Sequence, residues 1–197
     1  MSPSDLRGLT PLVSWGLRSG GGEDLSWGSS PFVPRRPREE VEGGIYHVYA
    51  RGNAKQAVYL DDVDRRTYLR LLGLAIQKRR WRCLAYCLMD NHVHLLLETP
   101  HAGLAVGMQW LHGVYAQTFN ERHGRVGHLF QGRYGSVRVT TDAQLWALLR
   151  YVGVNPVEAG LCASPSDWRW RSMAPLCRIG RGRRSVESRP VCLLQSS

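Results

Sequence analysis

Short β-branched and aromatic runs trade places with longer stretches of helical periodicity between residues 45 and 156 of this 197-residue chain. IYHVYARG (45–52) reads as a strand that stops at a Gly-Asn pair. From Asp61 to Arg80, Leu69, Leu72 and Ile76 recur at helical spacing, with Asp61, Asp62 and Asp64 at the positive end of the helix dipole. WRCLAYCLM (81–89) and HVHLLLET (92–99) read as two strands, joined into a hairpin by a tight turn at Asp90-Asn91. Residues 103–122 favour a second helix, with Met108, Leu111, Tyr115 and Phe119 on one face. HGRVGHLFQGRYGSVRV (123–139) holds two glycine-marked turns and then a strand. Thr141 or Asp142 caps a third helix whose stripe is Leu145, Leu148, Leu149 and Val152, and Pro156 is expected to end it at Asn155.

The order β-α-β-β-α-β-α predicts an α+β domain of the split β-α-β kind, an antiparallel sheet with helices packed on one face. Its expected extent is 41–176. The Gly-, Ser- and Pro-rich residues 1–40 and the basic residues 177–197 lack any sustained period and are expected to be disordered N- and C-terminal extensions. There is no internal repeat. No apolar run is long enough to span a bilayer and no compact leader block opens the sequence, so a cytoplasmic protein without a membrane partner is expected.

Charge narrows the choice of partner. Twenty-six Lys and Arg against 16 Asp and Glu give a formal net charge of +10, which suits a polyanion, most simply nucleic acid. Five cysteines (83, 87, 162, 177 and 192) make an odd count without a disulfide framework. Cys83 and Cys87 have no second pair to complete a zinc site and read as small buried thiols.

The candidate chemistry lies in DNHVHL (90–95). Alternation along a strand points His92 and His94 the same way, with their stems roughly 7 Å apart. Imidazoles at that spacing can converge on one cation, given a third ligand from elsewhere. In the last helix Tyr151 and Asn155 stand four apart, on one flank beside the buried stripe. A carboxamide oxygen suits Mg²⁺ or Mn²⁺, and a phenol one turn away is a potential nucleophile. The same residues equally suit two half-exposed histidines with no ion, and an amphipathic helix that simply stops at Asn-Pro.

YHVYARGN (46–53), NHVHLL (91–96), YAQTFNERHGRVGHLFQGRYGS (115–136) and YVGVNPVEAGL (151–161) together resemble the REP-associated tyrosine transposases, a branch of the single-tyrosine HUH transposases. The likeness covers about 41–175. It implies a ferredoxin-like or RRM-like fold and metal-dependent cutting and rejoining of single-stranded DNA through a 5′-phosphotyrosine, on hairpin-forming repetitive elements. It implies Tyr151 as nucleophile, His92, His94 and Asn155 as ligands of Mg²⁺ or Mn²⁺, no small-molecule cofactor, and a monomer or homodimer. Tyr115 and Tyr134 compete as nucleophile, but Phe119 and Arg138 stand four residues beyond them, where Asn155 follows Tyr151. For DNA contacts we expect Arg51, Asn53 and Lys55 after the first strand, and Arg122, Arg125, Arg133, Tyr134 and Arg138 around the glycine-marked segment, with Tyr134 stacking on a base. The rivals are a non-catalytic single-strand binder with an RRM-like sheet and a phosphodiesterase that uses water. Two departures stand out: WRWRSM (168–173) is a weak version of the family's Trp-Ser-Ser ending, and the residues before PRRPREE (34–40) look foreign to it. The latter suggests Val33 as the natural start.

Overall fold

The computed structural model describes residues 40–173, so the expectations for the extensions and for a start at Val33 lie outside the described residues. The elements are β1 (Gly44–Arg51), α1 (Asp62–Arg79), β2 (Arg82–Leu88), β3 (His92–Thr99), α2 (Leu104–His123), β4 (Gly135–Val139), α3 (Asp142–Glu158) and β5 (Arg171–Met173). The strands form one antiparallel sheet in the order β4-β1-β3-β2-β5. β1 to β4 make the expected α+β split β-α-β arrangement, and β5 extends it at the β2 edge. β5 comes from the weakly matching WRWRSM stretch. That stretch is nonetheless anchored: Trp170 joins the core, and the Trp168 indole N–H donates to the Leu88 carbonyl at 3.0 Å.

The helices begin where the chain supplies acceptors. The Asp61 side chain accepts from the Asp64 N–H at the start of α1, and Thr141 does the same for the Gln144 N–H at the start of α3. α2 begins at Gly103, which has no side chain to cap with. Glu40 fills that role from 63 residues away in sequence. Its carboxylate accepts from the backbone N–H groups of Gly103 (2.6 Å), Leu104 (3.0 Å) and Ala105 (2.6 Å). Glu40→Ala strips three charge-assisted hydrogen bonds from a helix N-terminus. We expect it to lower the urea midpoint by an amount equivalent to about 1–2 kcal/mol, with the slope of the transition unchanged.

The helices do not all share one face, and here the structure corrects the sequence reading. Tyr46, Val48, Ala50, Tyr86, Leu88, Val93, Leu95 and Leu97 point to α1 and α2, where Tyr68, Leu72, Met108, Leu111 and Tyr115 complete the larger core. Ala85, Cys87 and Leu96 point the other way and are covered by Leu145, Leu149 and Val152 of α3. The physical reason is visible in β3. Leu95, Leu96 and Leu97 are all fully buried, which a strand with one wet face cannot achieve. Covering each leucine of the α3 stripe contributes about 1.5–3 kcal/mol, which fixes that helix against the sheet.

α3 also outruns its expected end. It continues through Pro156 to Glu158. Pro156 forgoes the hydrogen bond that its N–H would make to the Val152 carbonyl, and the helix runs only two residues beyond it. The helix stops instead at Gly160, whose φ of +70° permits the reversal in which the Leu161 N–H donates to the Pro156 carbonyl and the Gly160 N–H to that of Val157. Asn155 therefore sits inside the helix rather than at its fraying edge.

His112 of α2 is buried in the larger core, with its Nε2 3.1 Å from the Tyr68 hydroxyl and its ring stacked on Phe130. Burial pushes its pKa down from 6.5 to about 3. A lowered histidine destabilises on acidification: below 6.5 the unfolded chain takes up a proton that the native state refuses, and the loss grows until the pH reaches about 3. Urea midpoints measured from about pH 7 down to 4 are expected to fall, and His112→Gln to flatten the fall by up to ~1.4 kcal/mol per pH unit.

Among the described residues, no helix is long and apolar enough to cross a membrane. The described cysteines 83, 87 and 162 are free thiols, as expected of the first two.

Candidate active site

Antiparallel pairing of β1 with β3 sets Arg51 opposite His92, Tyr49 opposite His94 and His47 opposite Leu96. All of these side chains stand on the α3 face. α3 crosses that face and lowers Tyr151 and Asn155 onto the histidines. The Tyr151 ring meets His94 edge-on at 5.3 Å between centroids and His47 at 6.0 Å. His92 and His94 are perpendicular, 5.0 Å apart. The four residues singled out by spacing are thus brought to one place.

Hydrogen bonding fixes which ring atoms face inward. His92 Nδ1 lies 2.7 Å from Asn91 Oδ1. The Asn91 amide nitrogen donates to the Lys55 carbonyl at 3.0 Å, so its carbonyl oxygen is the atom turned to the ring. His92 Nδ1 must then carry the proton, which leaves a lone pair on Nε2. That lone pair faces Asn155 Oδ1 across 3.4 Å. Two acceptors aimed at each other repel unless a positive charge lies against both.

His94 presents a second open atom. Its Nδ1 is 3.0 Å from His47 Nε2, while its Nε2 is buried with no hydrogen-bond partner. An N–H at that Nε2 would be an orphaned donor, at a cost of about 1–3 kcal/mol. Burial keeps all three rings neutral. It pushes His47 down to about 4 and lowers His94 well below 6.5, with His47 and His92 adding to the latter effect. It also lowers His92, against the pull of Asn155. Neutral imidazole is the form that binds metal. Two imidazole nitrogens and a carboxamide oxygen could hold one divalent cation of the Mg²⁺ or Mn²⁺ class. The donor set includes no carboxylate or thiolate. Among the described residues no group of three His, Cys, Asp or Glu is placed to hold a metal ion, so any such site here depends on the Asn155 carboxamide as a donor.

Tyr151 is half-buried. Burial raises its pKa above 10, opposed by its hydrogen bond with Asn155, so the phenol is protonated at neutral pH. The rival tyrosines are structural. Tyr115 is 1% exposed, with its hydroxyl donating to the Val58 carbonyl at 2.6 Å. Tyr134 is 5% exposed, within the larger core.

That burial corrects the reading of Tyr134 as a stacking platform: the ring is covered by protein before any base arrives. Arg122 is likewise engaged elsewhere. It spans Asp61 and Asp64 at the start of α1, on the sheet face away from the histidines. Arg125 donates to Gln56 and lies over the Phe119 ring. Arg138 is exposed but in register with Tyr46, and so on the α1 and α2 face. Arg133 is exposed beside Tyr134. Of the eight expected DNA contacts, Arg51 stands beside His92, followed directly by the exposed Asn53 and Lys55.

Sequence reasoning missed His47 and Tyr49. The Tyr49 ring tilts against His47 at 5.5 Å. It passes over Gly135 of β4, where a Cβ would lie 2.2 Å from the ring, so this strand pair requires a glycine there. The signal was the alternation His47, Tyr49, Arg51 along β1, which acquires meaning only once β3 is known to be the neighbouring strand.

A search of curated proteins finds no match. Among solved structures, the fold is similar to that of a REP-associated tyrosine transposase bound to a REP hairpin. That structure is 16% identical in sequence and superposes with a TM-score of 0.58, over 71% of this chain and 82% of the other. A candidate transposase from Deinococcus radiodurans R1 is 19% identical with a TM-score of 0.43, over 60% of this chain and 95% of the other. The family profile described as "Transposase IS200 like" matches residues 40–155, a span that opens at the carboxylate capping α2 and closes at the carboxamide beside Tyr151. With more than half of its length matched, the chain belongs to the IS200-like transposase family, whose members cleave and move DNA.

Proposed function

We propose that this transposase cuts and rejoins single-stranded, hairpin-forming DNA through a covalent 5′-phosphotyrosine at Tyr151, with His92, His94 and Asn155 holding Mg²⁺ or Mn²⁺. One observation carries the reading. His92 Nε2 faces the Asn155 carboxamide oxygen, and the adjacent His94 keeps a buried, unpartnered Nε2, both rings lying beside a half-exposed tyrosine. A non-catalytic binder has no use for that set.

His92, His94 and Asn155 would hold the cation, whose charge would polarise the scissile phosphate and offset the charge that develops on its oxygens. The protein's own residues do the rest. The Tyr151 oxygen attacks phosphorus, forming the Tyr–O–P bond as the P–O3′ bond breaks. The phenol gives up its proton and the departing oxygen gains one, leaving a 3′-hydroxyl. The phosphodiester energy is kept in the tyrosyl ester, so an incoming 3′-hydroxyl reverses the step and rejoins the strand without ATP. Arg51, Asn53 and Lys55 line the end of β1 beside His92, where a strand entering the site would pass. α3 packs on the sheet and brings Tyr151 over the histidines. The hairpin as substrate class follows the structural neighbour, which was solved with one.

The test is to incubate the full chain with Mg²⁺ or Mn²⁺ and end-labelled hairpin DNA and to run a denaturing gel. A protein–DNA species resistant to denaturation is expected. Cleavage without it identifies a hydrolase, and retention of intact DNA a simple binder.

A further inference from the structure

We propose that His47 is a positioning residue that fixes the tautomer of His94, accepting its Nδ1–H and so leaving the Nε2 lone pair open to a divalent cation. The inference rests on the reading of His92, His94 and Asn155 as cation ligands.

His47 is 2% exposed and lies on β1, opposite Leu96 and therefore diagonal to His94. Its ring lies nearly in the plane of the His94 ring, with planes 17° apart and centroids at 5.2 Å, so the two meet edge to edge at an Nε2–Nδ1 distance of 3.0 Å. Only one proton fits between two nitrogens at that separation, and there are two ways to place it. If His47 Nε2 carries it, His94 must hold its own proton on Nε2, in a buried position where no acceptor stands. Such a donor is unsatisfied, and it blocks the ligand atom. If His94 Nδ1 carries it, His47 Nε2 accepts, and His94 Nε2 is left as a bare lone pair beside Tyr151. The second placement removes the orphaned donor.

It also makes the two strand histidines alike. His92 is held at Nδ1 by Asn91 Oδ1, and His94 at Nδ1 by His47 Nε2; His92 Nε2 is left facing Asn155, and His94 Nε2 is left without a partner on the neighbouring ring. A ligand imidazole whose far nitrogen is tied to a fixed acceptor is oriented as well as kept in one tautomer. Tyr49, tilted against His47 and seated over Gly135, keeps the supporting ring in place.

The experiment reads the tautomer directly. In cation-free protein labelled with ¹⁵N at histidine, two-bond ¹H–¹⁵N correlations near neutral pH should show His94 protonated at Nδ1 only, the signal being assigned by its loss in His94→Gln. In His47→Leu the proton should redistribute towards Nε2, whereas His47→Gln, whose side-chain oxygen can accept, should keep the parental pattern. Mn²⁺ titrations should weaken about 10–100-fold in His47→Leu and recover most of that in His47→Gln. An Nε2-protonated His94 in the parent overturns the proposal, as does His47→Leu with parental tautomer and Mn²⁺ affinity. If His47→Leu does not fold, the parent and His47→Gln spectra still decide. Equal Mn²⁺ affinity in the parent and in His94→Gln removes the cation reading, and the positioning role with it; the tautomer signal, read without metal, shows which of the two has failed.

Discussion

Tyr151→Phe is expected to abolish the covalent protein–DNA species and to cut cleavage of a labelled hairpin by on the order of 10³-fold or more. The substitution is clean. Phenylalanine keeps the ring that meets His94 edge-on at 5.3 Å, so packing against the sheet is retained and DNA binding should stay at the parental level. What disappears is the phenol oxygen beside the histidines, the atom proposed to attack phosphorus. Tyr115 cannot substitute, because its hydroxyl is already committed to the Val58 carbonyl in the core. Full cleavage by the Phe variant, with no protein-linked strand in either protein, would mean that water attacks and that Tyr151 is packing.

Removing a strand imidazole is the second large effect. His92→Ala and His94→Gln are each expected to slow cleavage by about 10²–10³-fold while a gel-shift assay of the same hairpin remains near parental. The two variants fail for different reasons. His92 loses the Nε2 that faces Asn155 across 3.4 Å. His94 loses the buried nitrogen that no protein group satisfies. Raising Mn²⁺ should partly restore whichever variant keeps the carboxamide and one imidazole aligned. Cutting at the parental rate by His92→Ala would show that the cation, if needed, is held elsewhere.

Much of this centre was legible in the sequence because its parts obey short-range rules. Alternation along HVHLLLET is enough to pair the histidines on one face, and a four-residue step is enough to stack Tyr151 and Asn155. The Asp90-Asn91 turn placed the β2–β3 hairpin for the same reason. Where sequence reasoning failed, the missing information was long-range. An apolar stripe says which side of α3 is buried but not which sheet face receives it. The answer was written in the unbroken leucines 95–97, which ask for cover on both sides. Tyr134 looked like a reader of bases because it follows an arginine in a glycine-marked stretch, and only the packing of α2 under it reveals a core residue. Arg122 looked like a phosphate contact until Asp61 and Asp64, some 60 positions earlier in the chain, were found beside it. His47 could not be assigned without the strand order.

Because Tyr151 and Asn155 ride on a single rigid rod, pinned by leucines at one end and closed by a glycine reversal at the other, they cannot be repositioned separately. Any tilt or withdrawal of that rod would take the phenol and the carboxamide away from the imidazoles in one stroke, so the proposed nucleophile and one proposed ligand are gained or lost together.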